Sequence, residues 1–354
     1  MTNDPSRCTD CEQGHPTPAV DRRRFLKTAG IAAVAATGAG SLWPAWATAK
    51  EETPAKPAPD TLVKKLYDSL NEAQRKDVAY EWDFKDARGL LRTHVSNNWH
   101  INGKVINTDY FTKDQKDIIR AIYEGIYNPE WVSKIDAQLK DDAGGYGNDQ
   151  NIAIFGKPGE GKFEFVMTGR HLTTRCDGNT AEHVAFGGPL FYGHAASGFN
   201  EKPDHPNNVF WPQALEANKV FTMLDGTQRK KALVARAPQE SAVEFKGDKA
   251  AFPGLAVSEM SADQKEQVQK VLAKLLEPYR ETDKQEALEC LKKQGGLDKC
   301  ALAFYQAGDL GEDGIWDNWR LEGPSFVWYF RGAPHVHVWV NVADDASVAT
   351  NAKG

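Results

Sequence analysis

The strongest constraint on the fold is a strictly alternating stretch near the C-terminus, residues 334–342, which reads PHVHVWVNV. Successive side chains of a β-strand point to opposite faces of the sheet. The pattern therefore predicts a strand with one face directed at a hydrophobic core, made of Val336, Val338, Val340 and Val342. The opposite face carries the candidate functional residues, which are His335, His337, Trp339 and Asn341.

Two histidines on one face of a strand are suited to binding a metal ion. Residues i and i+2 of a strand are about 6–7 Å apart at Cα and point the same way, so His335 and His337 can both reach one ion. The alternative is a surface strand with two solvated histidines, because a row of valines requires only one buried face.

A third ligand is predicted at His171, which opens a second alternating run, residues 171–176 (HLTTRC). If that run is a strand, His171 and Arg175 share a face, and Arg170 points the other way. The predicted metal site combines His171 with His335 and His337, provided that the two strands lie close together in one sheet. The fourth ligand would come from Glu182, His183 or His194, and His194 is the one we include in the site. Three histidines favour one divalent zinc or copper ion, and iron also fits.

The candidate catalytic residues beside this site are Arg175, Glu182 and Arg331. An arginine would orient an anionic group of the substrate, while Trp339 and Asn341 would line the substrate pocket. General acid–base catalysis by Glu182 or Glu322 without a metal is an alternative, but no pair of carboxylates stands at a telling spacing. The sequence has no nucleophile elbow, no Walker loop and no dinucleotide fingerprint.

The N-terminus has the pattern of an export signal. Residues 21–27 (DRRRFLK) match the twin-arginine motif, an Ala- and Gly-rich stretch follows, and Ala47-Thr48-Ala49 is a cleavage signal. Residues 1–49 are therefore predicted to be a twin-arginine signal peptide, cut after Ala49, and residues 50–60 a disordered linker. The partner during export would be the twin-arginine translocase, no stable membrane span would remain after cleavage, and the mature protein would be periplasmic or extracellular.

Cysteine usage fits this prediction. Cys8 and Cys11 precede the twin arginines and would be removed with the signal, with no role assigned to them. Cys290 and Cys300 bracket a helix end and a Gly-Gly turn, which favours a disulfide in an oxidising compartment. Cys176 is then left over, either as a small buried hydrophobe or as a reactive or ligating thiol.

The order of elements predicts an α+β domain over residues 61–343, followed by a flexible tail at 344–354. Helices are expected from 61 to 80, with Asn71 as a cap, and after the capping boxes that begin at Thr112 and Ser261. Short strands occur before and after a helical insert, which favours a mainly antiparallel sheet with helices packed on it. The net charge of −6 shows no basic excess, so a nucleic-acid partner is not expected.

Five short motifs give the chain a resemblance to a known family. In chain order they are 169–172 (GRHL), 188–193 (GPLFYG), 224–232 (LDGTQRKKA), 322–324 (EGP) and 334–337 (PHVH). With this order the chain resembles the uncharacterised bacterial family catalogued as domain of unknown function 3500, from about Leu62 to Val342. The resemblance implies an export signal, often of the twin-arginine type, and marks His171, His335 and His337 as family positions. It implies no activity.

These patterns together predict an exported metal-dependent enzyme, a hydrolase or an oxidoreductase, acting on a small or polymeric extracytoplasmic substrate. The competing interpretation is a periplasmic protein that binds a metal or a small ligand through the same histidines without catalysis.

Overall fold

A large mixed β-sheet organises the described part of the chain, which in this computed structural model comprises residues 58–194, 208–310 and 313–353. The predicted signal peptide, Cys8, Cys11 and residues 50–57 of the predicted linker lie outside these residues. The strands are β1 (Ala79–Tyr80), β2 (Lys85–Asp86), β3 (Gly89–Leu90), β4 (His94–Val95), β5 (Asn151–Gly156), β6 (Phe163–Gly169), β7 (Leu172–Cys176), β8 (Leu190–His194), β9 (Leu233–Val234), β10 (Leu255–Ala256), β11 (Ala301–Tyr305), β12 (Asn318–Gly323), β13 (Phe326–Arg331), β14 (Val336–Val342) and β15 (Asn351–Ala352).

Eleven of these strands form the main sheet, in the order β1-β5-β6-β7-β8-β14-β13-β12-β11-β10, with β9 also paired to β11. The α+β class is confirmed, but the expectation of a mainly antiparallel sheet is corrected, because the sheet is mixed. Its parallel pairs are β1 with β5 and β9 with β11, and the strands between are antiparallel. Both β1 and β9 are two-residue strands that continue directly from a helix, so the helix sets the direction in which they join the sheet.

The pairing of β8 with β14 brings together the strands that come before and after the helical insert. In this register Val336 lies opposite His194, and His337 lies opposite Gly193. The β7 strand, which follows His171, pairs with β8. The sheet therefore meets the condition that the metal-site hypothesis set, because the two histidine-bearing segments are separated only by β8.

Helices cover one face of the sheet. They are α1 (Pro59–Ser69), α2 (Glu72–Val78), α3 (Lys113–Ile126), α4 (Pro129–Ala143), α5 (Trp211–Met223), α6 (Gly226–Ala232), α7 (Ala262–Leu276) and α8 (Glu281–Lys293). The predicted caps are confirmed: Asn71, Thr112 and Ser261 each begin a helix with a capping box. Each helix contributes buried apolar residues to one core cluster, which also contains the four valines of β14. The prediction that the alternating valines of residues 336–342 face a hydrophobic core is therefore confirmed.

Segments without helices cover the opposite face. The part of the chain between β9 and β10 lies over β12, β13 and β14, where Val243 packs with Trp339 and Tyr329. The Asn341 side chain donates to the Val243 carbonyl at 2.9 Å. Over β7, Trp99 Nε1 donates to the Thr173 hydroxyl at 2.8 Å. Both faces of the sheet are thus buried, but by different kinds of structure.

The structure also corrects two other predictions, the disulfide and the flexible C-terminal tail. Cys290 and Cys300 are free and buried, so the predicted disulfide is corrected. They face different surroundings: Cys290 borders Glu286 and Lys293, whereas Cys300 lies against Gly323 on β12. The expected tail at 344–354 includes β15, which pairs with β4 and so returns to the domain.

Strand β11 was not predicted, although its sequence ALAFY is an apolar run. Among the described residues, no helix has both the length and the apolar character needed to span a bilayer.

Candidate metal centre

Three histidines from two separate parts of the chain meet beside β14. His337 lies on β14 itself, and His335 immediately precedes that strand. His171 was expected to lie on a strand, but it lies in the turn of the β6–β7 hairpin. Because Gly169 pairs with Leu172, the two residues between them form the turn, and His171 takes the left-handed conformation with φ 51°. A left-handed residue other than glycine is uncommon and is found preferentially at functional sites.

The imidazole rings converge through their Nε2 atoms. His337 Nε2 is 2.9 Å from His335 Nε2 and 3.0 Å from His171 Nε2. One ligand atom of each histidine lies within 4.8 Å of the others. The three residues are 1%, 6% and 0% exposed for His171, His335 and His337. Nitrogen ligands about 2.0–2.1 Å from one ion would stand at a similar separation, so this buried cluster could hold a metal ion.

Carboxylates fix the tautomers of two of the rings. His337 Nδ1 is 2.7 Å from Glu240 Oε2, and His171 Nδ1 makes a short contact with Asp142 Oδ2. Because a carboxylate only accepts hydrogen bonds, the network assigns the ring proton to Nδ1 in both histidines. Their Nε2 atoms then present lone pairs to each other across 3.0 Å, which is unfavourable unless a cation lies between them.

Protonation of His335 or His337 is an unfavourable way to supply that cation. Burial lowers the pKa of His335, and the neighbouring His337 and Arg331 lower it further. Burial and the positive charge of Arg331 likewise hold the pKa of His337 well below its usual value. Neutral imidazoles are the form that binds metals, so the same surroundings that disfavour a proton leave the cluster ready for a metal ion.

Each of the two carboxylates is also bound by an arginine. Arg170 Nε donates to Asp142 Oδ1 at 3.1 Å, and Arg331 Nη1 lies 3.1 Å from Glu240 Oε1. The expectation that Arg170 points away from the site is corrected, because as a turn residue it escapes strand alternation. The centre therefore has two matching arms, arginine–carboxylate–histidine. Such outer carboxylates orient ligating histidines and raise their basicity.

The structure places two of the candidate catalytic residues outside this cluster. Arg175 is buried, and its guanidinium donates to Glu164 and to the carbonyls of Pro189, Arg92 and His94. It joins β7 to the segments that cover it. Glu182 lies on the surface and pairs with Lys162 at 2.9 Å. Arg331 is the candidate that does lie beside the histidines.

The remaining candidates, His194, Trp339 and Asn341, differ in where their side chains lie. His194 is paired with Val336, on the helix-covered face, and its Nε2 is 3.1 Å from Asn208 Oδ1. It is not in the three-histidine cluster that the described residues form. Trp339 and Asn341 share the face of His337, as predicted. They are buried there, with Trp339 Nε1 donating to Glu240 at 3.2 Å.

Sequence reasoning missed Asp142 and Glu240, which hold the histidines. Asp142 lies 29 positions from His171, near the end of α4, and Glu240 lies 97 positions from His337 in a segment without periodicity. No local pattern links a carboxylate to a histidine at such distances. The family positions given by the resemblance contained the ligands but not these partners.

Comparisons with known proteins were informative at the level of the family. A family model described as "Protein of unknown function (DUF3500)" matches residues 55–342. No curated protein and no solved structure matches the chain.

Proposed function

The chain belongs to this family of proteins of unknown function, and because membership assigns no activity, we propose a function from the histidine cluster. We propose that His171, His335 and His337 form the metal site of an exported metal-dependent enzyme, a hydrolase or an oxidoreductase. The observation that carries this proposal is the convergence of three buried Nε2 atoms whose rings are oriented by Asp142 and Glu240.

An enzyme is favoured because the cluster among the described residues has three protein ligands. Catalytic metal sites characteristically have three protein ligands and leave a position open for water or substrate, whereas structural sites are closed by four. A bound ion would supply either an activated water for hydrolysis or a redox centre for oxygen chemistry.

Zinc or copper is the proposed ion, and iron also fits. All three ligand atoms are imidazole nitrogens, which suit each of these metals. None of the buried thiols belongs to the cluster, so the softer thiolate sites typical of structural zinc are not the pattern here.

Export by the twin-arginine translocase, with cleavage after Ala49, remains our proposal for the N-terminus. This pathway carries folded proteins, so the buried site could acquire its metal in the cytoplasm. The free cysteines are compatible with such a route: burial raises the pKa of both Cys290 and Cys300 to about 12, which makes these thiols unreactive. The proposed place of action is the periplasm or the extracellular space, on a small or polymeric substrate, with no nucleic-acid partner.

The second candidate is a periplasmic protein that binds a metal or a small ligand without catalysis. The observation that favours it is the depth of the site, because His171 and His337 are at most 1% exposed. A deeply buried ion exchanges slowly and suits storage or structural use as well as chemistry.

The first experiment is the elemental metal content, per chain, of the mature protein purified without chelators. The wild type should contain near-stoichiometric zinc, copper or iron. The His171→Ala and His337→Ala variants should contain almost none, whereas the control His100→Ala, which removes an exposed histidine that pairs with Asp149, should keep the wild-type content. A wild type that neither contains metal nor takes it up on addition would contradict the proposal.

Activity then separates the two candidates. The metal-loaded protein would be tested with chromogenic esters and phosphate esters for hydrolysis, and by oxygen uptake with reducing phenols for oxidation. Turnover that requires the metal and disappears in His337→Ala supports the enzyme. A metal-loaded protein that is inactive throughout, and whose copper- or cobalt-loaded form shows no change in its visible spectrum on adding azide, supports the binding protein.

A further inference from the structure

Arg331 has donor groups that no other described residue accepts from. It ends β13 directly opposite His337, so both side chains lie on the same face of the sheet. Its Nη1 atom pairs with Glu240, but Nε and Nη2 are buried and have no hydrogen-bond partner among the described residues. The residue is only 7% exposed. Charged N–H groups that lose water without gaining an acceptor destabilise a protein, so this arrangement needs a reason.

The unused donors have the geometry of an anion site. Nε and Nη2 form one edge of the planar guanidinium, with two N–H bonds that point in nearly the same direction. Such an edge matches two oxygens of a carboxylate or phosphate group in a bidentate pair. Glu240 is bound through Nη1 and leaves this edge intact.

Arg170, on the other arm, differs in this respect. Its Nε atom donates to Asp142, so the corresponding edge is already engaged, and its side chain is 27% exposed. The two arms therefore hold their histidines in the same way, but Arg331 alone of these two arginines has a buried pair of unused donors.

The charge of the centre points to the same class of ligand. Asp142 and Glu240 are balanced by Arg170 and Arg331, and the buried histidines bind metal in the neutral form. A divalent ion would thus leave the buried centre with two uncompensated positive charges. An anionic ligand offsets this charge where water cannot.

We propose that the ligand of this centre carries an oxyanion group, a carboxylate or a phosphate, that binds the Nε–Nη2 edge of Arg331 while the ligand reaches the metal. The inference rests on the proposed metal site and specifies its substrate class. Arg331 is then the residue that selects anionic substrates, and Glu240 places it by holding Nη1.

The test is isothermal titration calorimetry of the metal-loaded mature protein with acetate and with inorganic phosphate. The ionic strength is kept constant, and chloride is the nonspecific control anion. Arg331→Gln removes the charge and the fork, and Arg331→Lys keeps the charge but loses the fork. Arg120→Gln is the matched control, because Arg120 is a partly exposed arginine that pairs with Asp136 and Glu124 on the helical side. Metal content is measured for every sample.

The wild type and Arg120→Gln should bind acetate or phosphate in preference to chloride. Arg331→Gln should bind it about 10- to 100-fold more weakly with its metal retained, and Arg331→Lys should show an intermediate loss. The preferred probe identifies the group as carboxylate or phosphate.

Equal anion binding by the wild type and the metal-retaining Arg331 variants, or no binding by any of them, overturns the inference while leaving the metal site intact. A wild type without metal instead overturns the proposed function. If Arg331→Gln loses its metal, the decision falls to Arg331→Lys, whose ammonium group can still pair with Glu240.

Discussion

The two faces of β14 differ in how they are covered and in what they do. Val336, Val338 and their neighbours on one face are buried by helices in the large apolar cluster. On the other face, His337 and Trp339 are just as buried, but His337 Nδ1 and Trp339 Nε1 are bound by Glu240, which lies in a segment without regular structure. Burial alone therefore does not separate core from site. The difference lies in whether the covering segment supplies apolar contacts or hydrogen-bond partners.

This difference predicts which face carries stability and which carries function. An apolar face stabilises the fold through the area it removes from water. A polar network mainly fixes the positions of its members and contributes less, because its groups were already solvated in the unfolded chain. Substitutions on adjacent residues of β14 should thus have separable effects.

The largest effect is expected for Val338→Asp on the helix-covered face. This change places an unpaired carboxylate in the apolar core, where Val338 is 0% exposed, and should cost more than about 4 kcal/mol of unfolding free energy. His337→Ala, at the preceding residue, should cost the metal-free protein less, about 2 kcal/mol, which is the low end of the range for truncating a large buried side chain to alanine. Urea unfolding of both variants without metal measures the two losses, and equal losses would contradict the separation of the faces.

The next effect concerns the metal itself. An ion that binds only the folded protein raises its stability, by about 2.7 kcal/mol at a concentration 100 times the dissociation constant. Adding the native metal should therefore raise the unfolding midpoint of the wild type and leave His337→Ala unchanged. His183→Ala is the control, because His183 is exposed and pairs with Asp344, which follows the end of β14 opposite to His335. Thermal unfolding with and without metal measures the shift, and the same shift in His337→Ala would place the metal elsewhere.

The helix-covered face could be predicted well from the sequence, because its apolar residues recur at regular spacings along strands and helices. The valines at 336–342 alternate, and helices with caps at Asn71, Thr112 and Ser261 form where the pattern placed them. These signals are local, so one chain is enough to detect them. The mixed character of the sheet was missed because its parallel pairs involve two-residue strands at helix ends, which are too short to show a pattern.

The histidine face was predicted only in part. His171, His335 and His337 were identified as a set, and the structure brings them together. The strand expected at His171 is a hairpin turn, so alternation gave wrong directions for Arg170. Asp142 lies near the end of α4 and Glu240 lies between β9 and β10, and no residue spacing predicts that these distant parts of the chain meet the histidines.

The outer carboxylates offer a third and smaller effect. Asp142→Asn and Glu240→Gln keep the shape of each side chain but remove the charge that orients His171 and His337. Each should weaken metal binding about 10- to 100-fold, the loss typical of outer-sphere partners. Competition with a chelator of known affinity measures the change. Glu182→Gln is the matched control, since Glu182 is exposed and pairs with Lys162, and a comparable loss in that variant would assign Glu182 a role at the metal.

The last effect concerns Glu286 on the helix-covered side, a carboxylate that forms no ion pair with an arginine among the described residues, unlike Asp142 and Glu240. Burial is the main cause that raises the pKa of Glu286 from 4.5 to about 8, and the charges of Asp177 and Asp283 add to it. Between these two values the folded protein holds a proton that the unfolded chain has lost, so wild-type stability should fall as the pH rises from 4.5 to 8. Glu286→Gln has no such proton and should escape this loss.

The advantage of Glu286→Gln over the wild type should therefore grow with pH and level off above about 8. The amide oxygen can still accept from the Phe186 N–H, which Glu286 binds at 2.9 Å, so the hydrogen bond is kept. Glu289→Gln, an exposed change on the same helix, is the control and should show no such trend. Urea unfolding of the metal-free proteins from pH 5 to 9 measures the difference. This range covers most of the interval between the two pKa values and extends above the higher one. A constant difference across that range would mean that Glu286 is ionised in the folded protein, and the contrast between the two sides in how carboxylates are compensated would then fail.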